Sequence, residues 1–86
     1  MMHAALLARL ELNNSGSWRV LGRFDAGDDE LTELVLAAAE TLVKTLHNSA
    51  DPARCPTLRV SLDACTVLWR WSLTEGWRDA KTREPV

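Results

Sequence analysis

Apolar and polar residues alternate in four runs of this chain, while one stretch repeats every three to four residues instead. That stretch is Asp28 to His47, where Leu31, Leu34, Val35, Ala38, Ala39, Leu42, Val43 and Leu46 recur at helical spacing. The spacing predicts an amphipathic helix with one broad apolar stripe and with Glu33, Glu40 and Lys44 nearer water. Gly27 or Asp28 is the expected N-cap. The carboxylates of Asp28, Asp29, Glu30 and Glu33 sit where the helix dipole favours negative charge. Asn48 suits a left-handed C-cap and Pro52 stops any continuation, so residues 48–56 form a loop.

The alternating runs predict strands. In residues 3–12, Ala4, Leu6, Ala8, Leu10 and Leu12 fall on one side and Ala5, Leu7, Arg9 and Glu11 on the other. Ala and Leu favour helix, but the period of two and the turn-forming Asn13-Asn14-Ser15-Gly16-Ser17 that follows favour the first arm of a β-hairpin. The second arm, Trp18 to Ala26, places Trp18, Val20, Gly22, Phe24 and Ala26 on one face. Arg19, Leu21, Arg23 and Asp25 share the other. Gly22 marks either a bulge or a close approach of the helix backbone. Thr57 to Ala64 and Thr66 to Leu73 alternate again, joined by Asp63-Ala64-Cys65, a connection with no glycine to define its turn. Val67, Trp69, Trp71 and Leu73 share one face of the last run. If its parity were inverted, both tryptophans would face outward and form a candidate hot spot.

The expected fold is therefore α+β: a four-stranded antiparallel sheet, ββαββ, with one long amphipathic helix packed on one face. A split crossover gives the order 2-1-3-4 and keeps all neighbours antiparallel. Residues 1–77 form the single domain and residues 78–86 a polar C-terminal tail.

Composition narrows the function classes. At 86 residues and 47% apolar the chain has room for one core, and a net charge of −2 gives no general pull toward nucleic acid or membrane. No segment has the length of a membrane span, and the opening MMHAALLARL lacks the basic lead of a signal peptide. A cytoplasmic location follows, and the Asn13-Asn14-Ser15 glycosylation pattern is then coincidental. Cys55 and Cys65 bracket a strand and would lie roughly 33 Å apart, out of disulfide reach.

No catalytic constellation is present. The four glycines are isolated, so no phosphate-binding or dinucleotide loop exists, and the Cys and His spacings match no zinc pattern. His47 and Cys55 have nothing nearby to orient an imidazole. The expectation is a non-enzymatic protein without metal or cofactor.

The candidate site is the open face of the sheet. Arg9, Arg19, Arg23, Arg59 and Arg70 fall there among Glu11, Asp25 and Asp63, with Leu7, Leu21 and Leu68. Arg19, Arg23, Arg59 and Arg70, with Leu21 and Leu68 as apolar contacts, are the expected protein-binding residues, since arginine pairs carboxylates bidentately. Trp77, beyond the last strand, is a separate candidate contact. The acidic Asp28, Asp29, Glu30 and Glu33 form a second patch able to mimic phosphate charge. Nucleic-acid binding is the alternative, disfavoured because the aromatics fall on the helix side by parity. A homodimer through an edge strand is a further one.

The element order, a hairpin, one long helix and a second hairpin, resembles that of several small phage and mobile-element proteins, anti-CRISPR proteins among them. The likeness is one of architecture alone. It implies an inhibitor that docks on a larger host complex without catalysis.

Overall fold

Five antiparallel strands and one helix make up the computed structural model of the chain, in which residues 5–14, 16–47, 55–63 and 65–82 are described. The elements are β1 (Leu7–Asn13), β2 (Trp18–Asp25), α1 (Asp29–Leu46), β3 (Thr57–Ser61), β4 (Val67–Ser72) and β5 (Gly76–Asp79). Their order in the sheet is β2-β1-β3-β4-β5. The α+β class and the order 2-1-3-4 hold, and a fifth strand extends the sheet beyond β4. That strand, Gly76–Asp79, runs across the boundary between residues 77 and 78, where the polar tail was expected to begin. Ser72-Leu73-Thr74-Glu75-Gly76 carries the hairpin that makes it: Ser72 Oγ accepts from Glu75 N at 3.3 Å, and Gly76 adopts φ +71°.

Side-chain carboxylates and amides shape the other turns. Asn13 Oδ1 accepts from Gly16 N at 2.8 Å in the first hairpin. Between β3 and β4, where no glycine is available, Asp63 Oδ1 accepts from Cys65 N at 2.8 Å and Thr66 N at 2.9 Å. An Asx-type turn needs only a short acidic or amide side chain at that point.

Asp28 is the N-cap of α1, its Oδ1 accepting from Leu31 N at 3.0 Å. His47 closes the other end, its backbone N–H bonded to Val43 O at 2.8 Å. The C-cap is therefore His47. Asn48, expected in that role, and Pro52 lie outside the described residues.

The helix meets the sheet through a stripe rotated from the one its sequence suggests, with Thr32 and Leu36 in place of the expected leucines. Thr32, Leu36, Ala39 and Val43 are buried, whereas Leu31, Leu34, Leu42 and Leu46 are exposed. One end of the core joins Ala8, Phe24, Ala26, Leu36 and Val60; the other joins Ala39, Val43, Cys55, Leu58 and Trp71. Glu40, expected nearer water, is half-buried and accepts the Trp71 indole N–H at 2.7 Å. No helix of the described residues is long and apolar enough to cross a membrane.

Two irregularities of register decide which side chains share the free face of the sheet. Between β1 and β2 the pairing passes from Leu10↔Gly22 to Glu11↔Val20, leaving Leu21 outside it. Between β3 and β4 it passes from Val60↔Trp69 to Ser61↔Val67, leaving Leu68 outside it. An extra residue in one strand reverses the inward–outward alternation beyond it.

Candidate interaction face

Directly paired residues on neighbouring strands project to the same face. The pairings therefore set a row across the helix-free face: Val20, Glu11, Arg59, Arg70 and Arg78, on β2, β1, β3, β4 and β5 in turn. A second row joins Arg23, Arg9, Ser61 and Val67. Trp18, opposite Asn13, lies on this face too, because the bulge at Leu21 reverses the parity of the first half of β2.

The centre of the face is buried although α1 packs on the other side of the sheet. Glu11 is only 4% exposed and Ser61 fully enclosed. Arg59 Nε donates to Glu11 Oε1 at 3.0 Å and Nη2 to Oε2 at 3.5 Å, while Ser61 Oγ donates to Oε1. The Trp18 ring lies over the Arg59 guanidinium, its centroid 4.1 Å from Cζ. That stacking excludes water from the ion pair and adds a cation–π attraction. Burial pushes the Glu11 carboxyl up, but the hydrogen bonds from Arg59 and Ser61, with the Arg59 charge, hold it below the ordinary glutamate range.

Glu11 neutralises Arg59 but not the next two arginines in the row. Arg70 is exposed, and Arg78 donates from its Nε to Glu75 O at 3.0 Å. Both line a cleft of about 570 Å³ with Trp18, Thr57, Ser72 and Glu75. Two guanidinium groups side by side, an indole wall and two hydroxyls suit a flat anionic group such as a carboxylate or phosphate. Glu75 and Asp79 are the acidic residues that line it, and Asp79 Oδ1 already accepts from Lys81 N at 2.8 Å and Thr82 N at 3.1 Å. On the other flank Arg9 lies between Arg23 and Ser61, and its Nε is buried without a hydrogen-bond partner among the described residues.

The expected contact residues are thus redistributed. Arg23, Arg59 and Arg70 do lie on the open face, and Arg78 joins them there. Arg19 does not: its pairing with Leu12, which packs against the core, puts it on the helix side of the sheet. Leu68 packs against the core around Ala8 and Phe24, because the β4 bulge turns it inward. Leu21 is exposed at the β2 bulge. Trp77, expected as a free contact, is instead half-buried opposite Trp71, its Nε1 donating to Leu36 O at 2.9 Å. Trp69 and Trp71 face the helix, so the inverted parity of β4 is not adopted there; only Val67, beyond the bulge, pairs onto the open face. Trp18 and Arg78 were the residues missed. The signal for Trp18 was Gly22, whose bulge reverses the face, and for Arg78 the Ser72–Gly76 turn.

Of the acidic patch, Asp28 is occupied as the helix cap, and Asp29, Glu30 and Glu33 are exposed on the first turns of α1. Cys55 is buried and Cys65 exposed, both as free thiols. Burial pushes the Cys55 thiol up, the opposite of an activated nucleophile.

No family model matches the chain, and neither a curated protein nor a solved structure shows significant similarity to it.

Proposed function

We propose that this protein is a small non-catalytic docking module that occupies an acidic surface on a larger protein in the cytoplasm. The observation that carries this reading is the Arg59–Arg70–Arg78 row, in which, among the described residues, only Arg59 has a carboxylate partner. Like charges directly opposite one another weaken a sheet. A fold that keeps Arg70 beside Arg78 gains most when an acidic group arrives from outside. Arginine flanked by tryptophan is also the composition of interface centres. An inhibitor acting by occupancy, as in anti-CRISPR proteins of similar element order, is the form this activity takes.

A second reading has one observation in its favour. Trp18 lies on the same face as the arginines, so a single-stranded nucleic acid would find a stacking surface beside cations. The test is capture of partners from a lysate of the native host by the tagged protein and by Arg70→Glu with Arg78→Glu, each with and without nuclease. Discrete proteins that survive nuclease and disappear with the double variant support protein docking. Loss on nuclease treatment moves the nucleic acid to first place. A folded double variant that keeps every partner overturns both.

A further inference from the structure

We propose that the outer stripe of α1 is a homodimer interface, in which α1 of a second copy packs antiparallel across Ala38. The stripe is Leu31, Leu34, Ala38, Leu42 and Leu46, with the leucines 37%, 68%, 48% and 75% exposed in order. At about 100° per residue these positions share one side of the helix, centred roughly a third of a turn from the buried Thr32, Leu36, Ala39 and Val43. The sheet therefore covers only half of an apolar helix surface. Four leucines aligned over four turns form an unusual solvent face for a small domain.

The pattern matches itself. Leu34 and Leu42 each lie four residues from Ala38, and Leu31 and Leu46 lie seven and eight residues away on either side. A twofold axis at Ala38 sets Leu34 of one copy against Leu42 of the other and repeats that contact by symmetry, as an isologous interface requires. Ala38 is exposed and small, so the two helices can cross closely there. The stripe is a convex ridge, which suits an identical ridge better than an extended peptide.

Charge fixes the orientation. Asp28, Asp29, Glu30 and Glu33 crowd one end of α1, and Lys44 stands near the other with only a loose 3.8 Å pair to Glu40. Antiparallel packing sets each acidic end beside the partner's Lys44 end, whereas parallel packing would stack eight carboxylates. The arginine face lies on the opposite side of the sheet. A dimer built this way leaves both arginine faces outward, and the inference does not rest on what they bind.

Sedimentation equilibrium of the full chain at about 100 µM tests it. The expected mass is twice the 9.6 kDa of the chain, returning to 9.6 kDa in Leu34→Glu with Leu42→Glu and an unchanged far-ultraviolet dichroism. In a Cys65→Ser background, Ala38→Cys sits at the axis and oxidises to a linked dimer. Leu46→Cys does not link to itself, because the two copies lie about 24 Å apart. A monomeric wild type, a folded double variant that stays dimeric, or linking through Leu46→Cys in preference to Ala38→Cys would each overturn the proposal. The cysteine pair decides the matter if the glutamate variant does not fold.

Discussion

Arg59 Nε donates to Glu11 Oε1 at 3.0 Å across β1 and β3, under the Trp18 ring, on the sheet face opposite α1. An ion pair this enclosed is costly to break from one side, because the remaining charge stays desolvated. Glu11→Gln keeps the shape and removes the charge. We expect it to destabilise the fold by about 3 kcal/mol at pH 7, measured by urea unfolding. The effect depends on pH. Glu11 has its carboxyl held below the ordinary value of 4.5, so its contribution is fully present above pH 4.5 and is lost as pH falls through the lowered value. Asp63 and Asp79, held low chiefly by the backbone N–H groups of Cys65 and Thr82 respectively, act in the same direction. Glu11→Gln should therefore flatten the acid limb of the stability curve without abolishing it. An acid limb as steep as that of the wild type would show that the pair is solvated.

Arg70 stands between Arg59 and Arg78 in the same row, with Glu11 beyond Arg59. Arg70→Glu turns two repulsive cross-strand neighbours into attractive ones. The expected gain is about 0.5–1 kcal/mol, or a rise in Tm of roughly 3–6 °C for a domain of this size. The same change should weaken capture of an acidic partner. Calorimetry and binding are thus predicted to move in opposite directions, which loss of folding cannot imitate. A variant that is less stable than wild type would remove the physical basis for assigning the row to binding.

The two glycines of the sheet separate conformation from packing. An added Cβ meets no atom within 4 Å at either Gly22 or Gly76, so of the two readings of Gly22 the bulge holds and the close approach of the helix does not. Gly76 sits at φ +71° in the β4–β5 turn, where an L side chain is strained. Gly76→Ala is expected to cost about 1–2 kcal/mol. Gly22→Ala, outside that region, should be neutral or stabilising by up to about 1 kcal/mol through the unfolded chain. Thermal unfolding of the two variants side by side checks this, and an equal cost at both positions would contradict it.

Periodicity carried the fold because each element writes its own period. The helix from Asp28, the two hairpins and the crossover order all follow from local pattern and turn chemistry. The site was legible only in part, because face assignment is cumulative. One extra residue at Leu21 moves Trp18 and Val20 to the open side and Arg19 to the other, and the extra residue at Leu68 turns that leucine inward. Parity cannot reveal which residue of a strand goes unpaired. The helix shows a related limit. Its apolar positions span nearly half the circumference, and their spacing does not say which part of that arc the sheet takes: Leu36 and Thr32 are buried while Leu34 is not. Glu11 was unreadable for another reason. A carboxylate on a sheet face counts as solvated until Arg59, Ser61 and Trp18, from two other strands, enclose it.

Trp71 and Trp77 face each other on β4 and β5, and each sends its indole N–H to the helix. Trp71 Nε1 reaches Glu40 Oε2 at 2.7 Å and Trp77 Nε1 reaches Leu36 O at 2.9 Å, so the pair clamps α1 to the end of the sheet. The two bonds differ in kind. Trp71 is 2% exposed and donates to a carboxylate; Trp77 is half-buried and donates to a helix carbonyl. Trp71→Phe opens a void and removes a charge-assisted bond, for an expected loss of about 2–3 kcal/mol. Trp77→Phe retains most of the packing and removes one neutral bond, for about 1 kcal/mol. Urea midpoints of the two variants measure the order. Because Trp77 is held by the helix, Trp77→Phe should also leave partner capture at the wild-type level. A larger loss of stability at Trp77, or a specific loss of capture there, would make it the contact residue that its position after the last alternating run suggested.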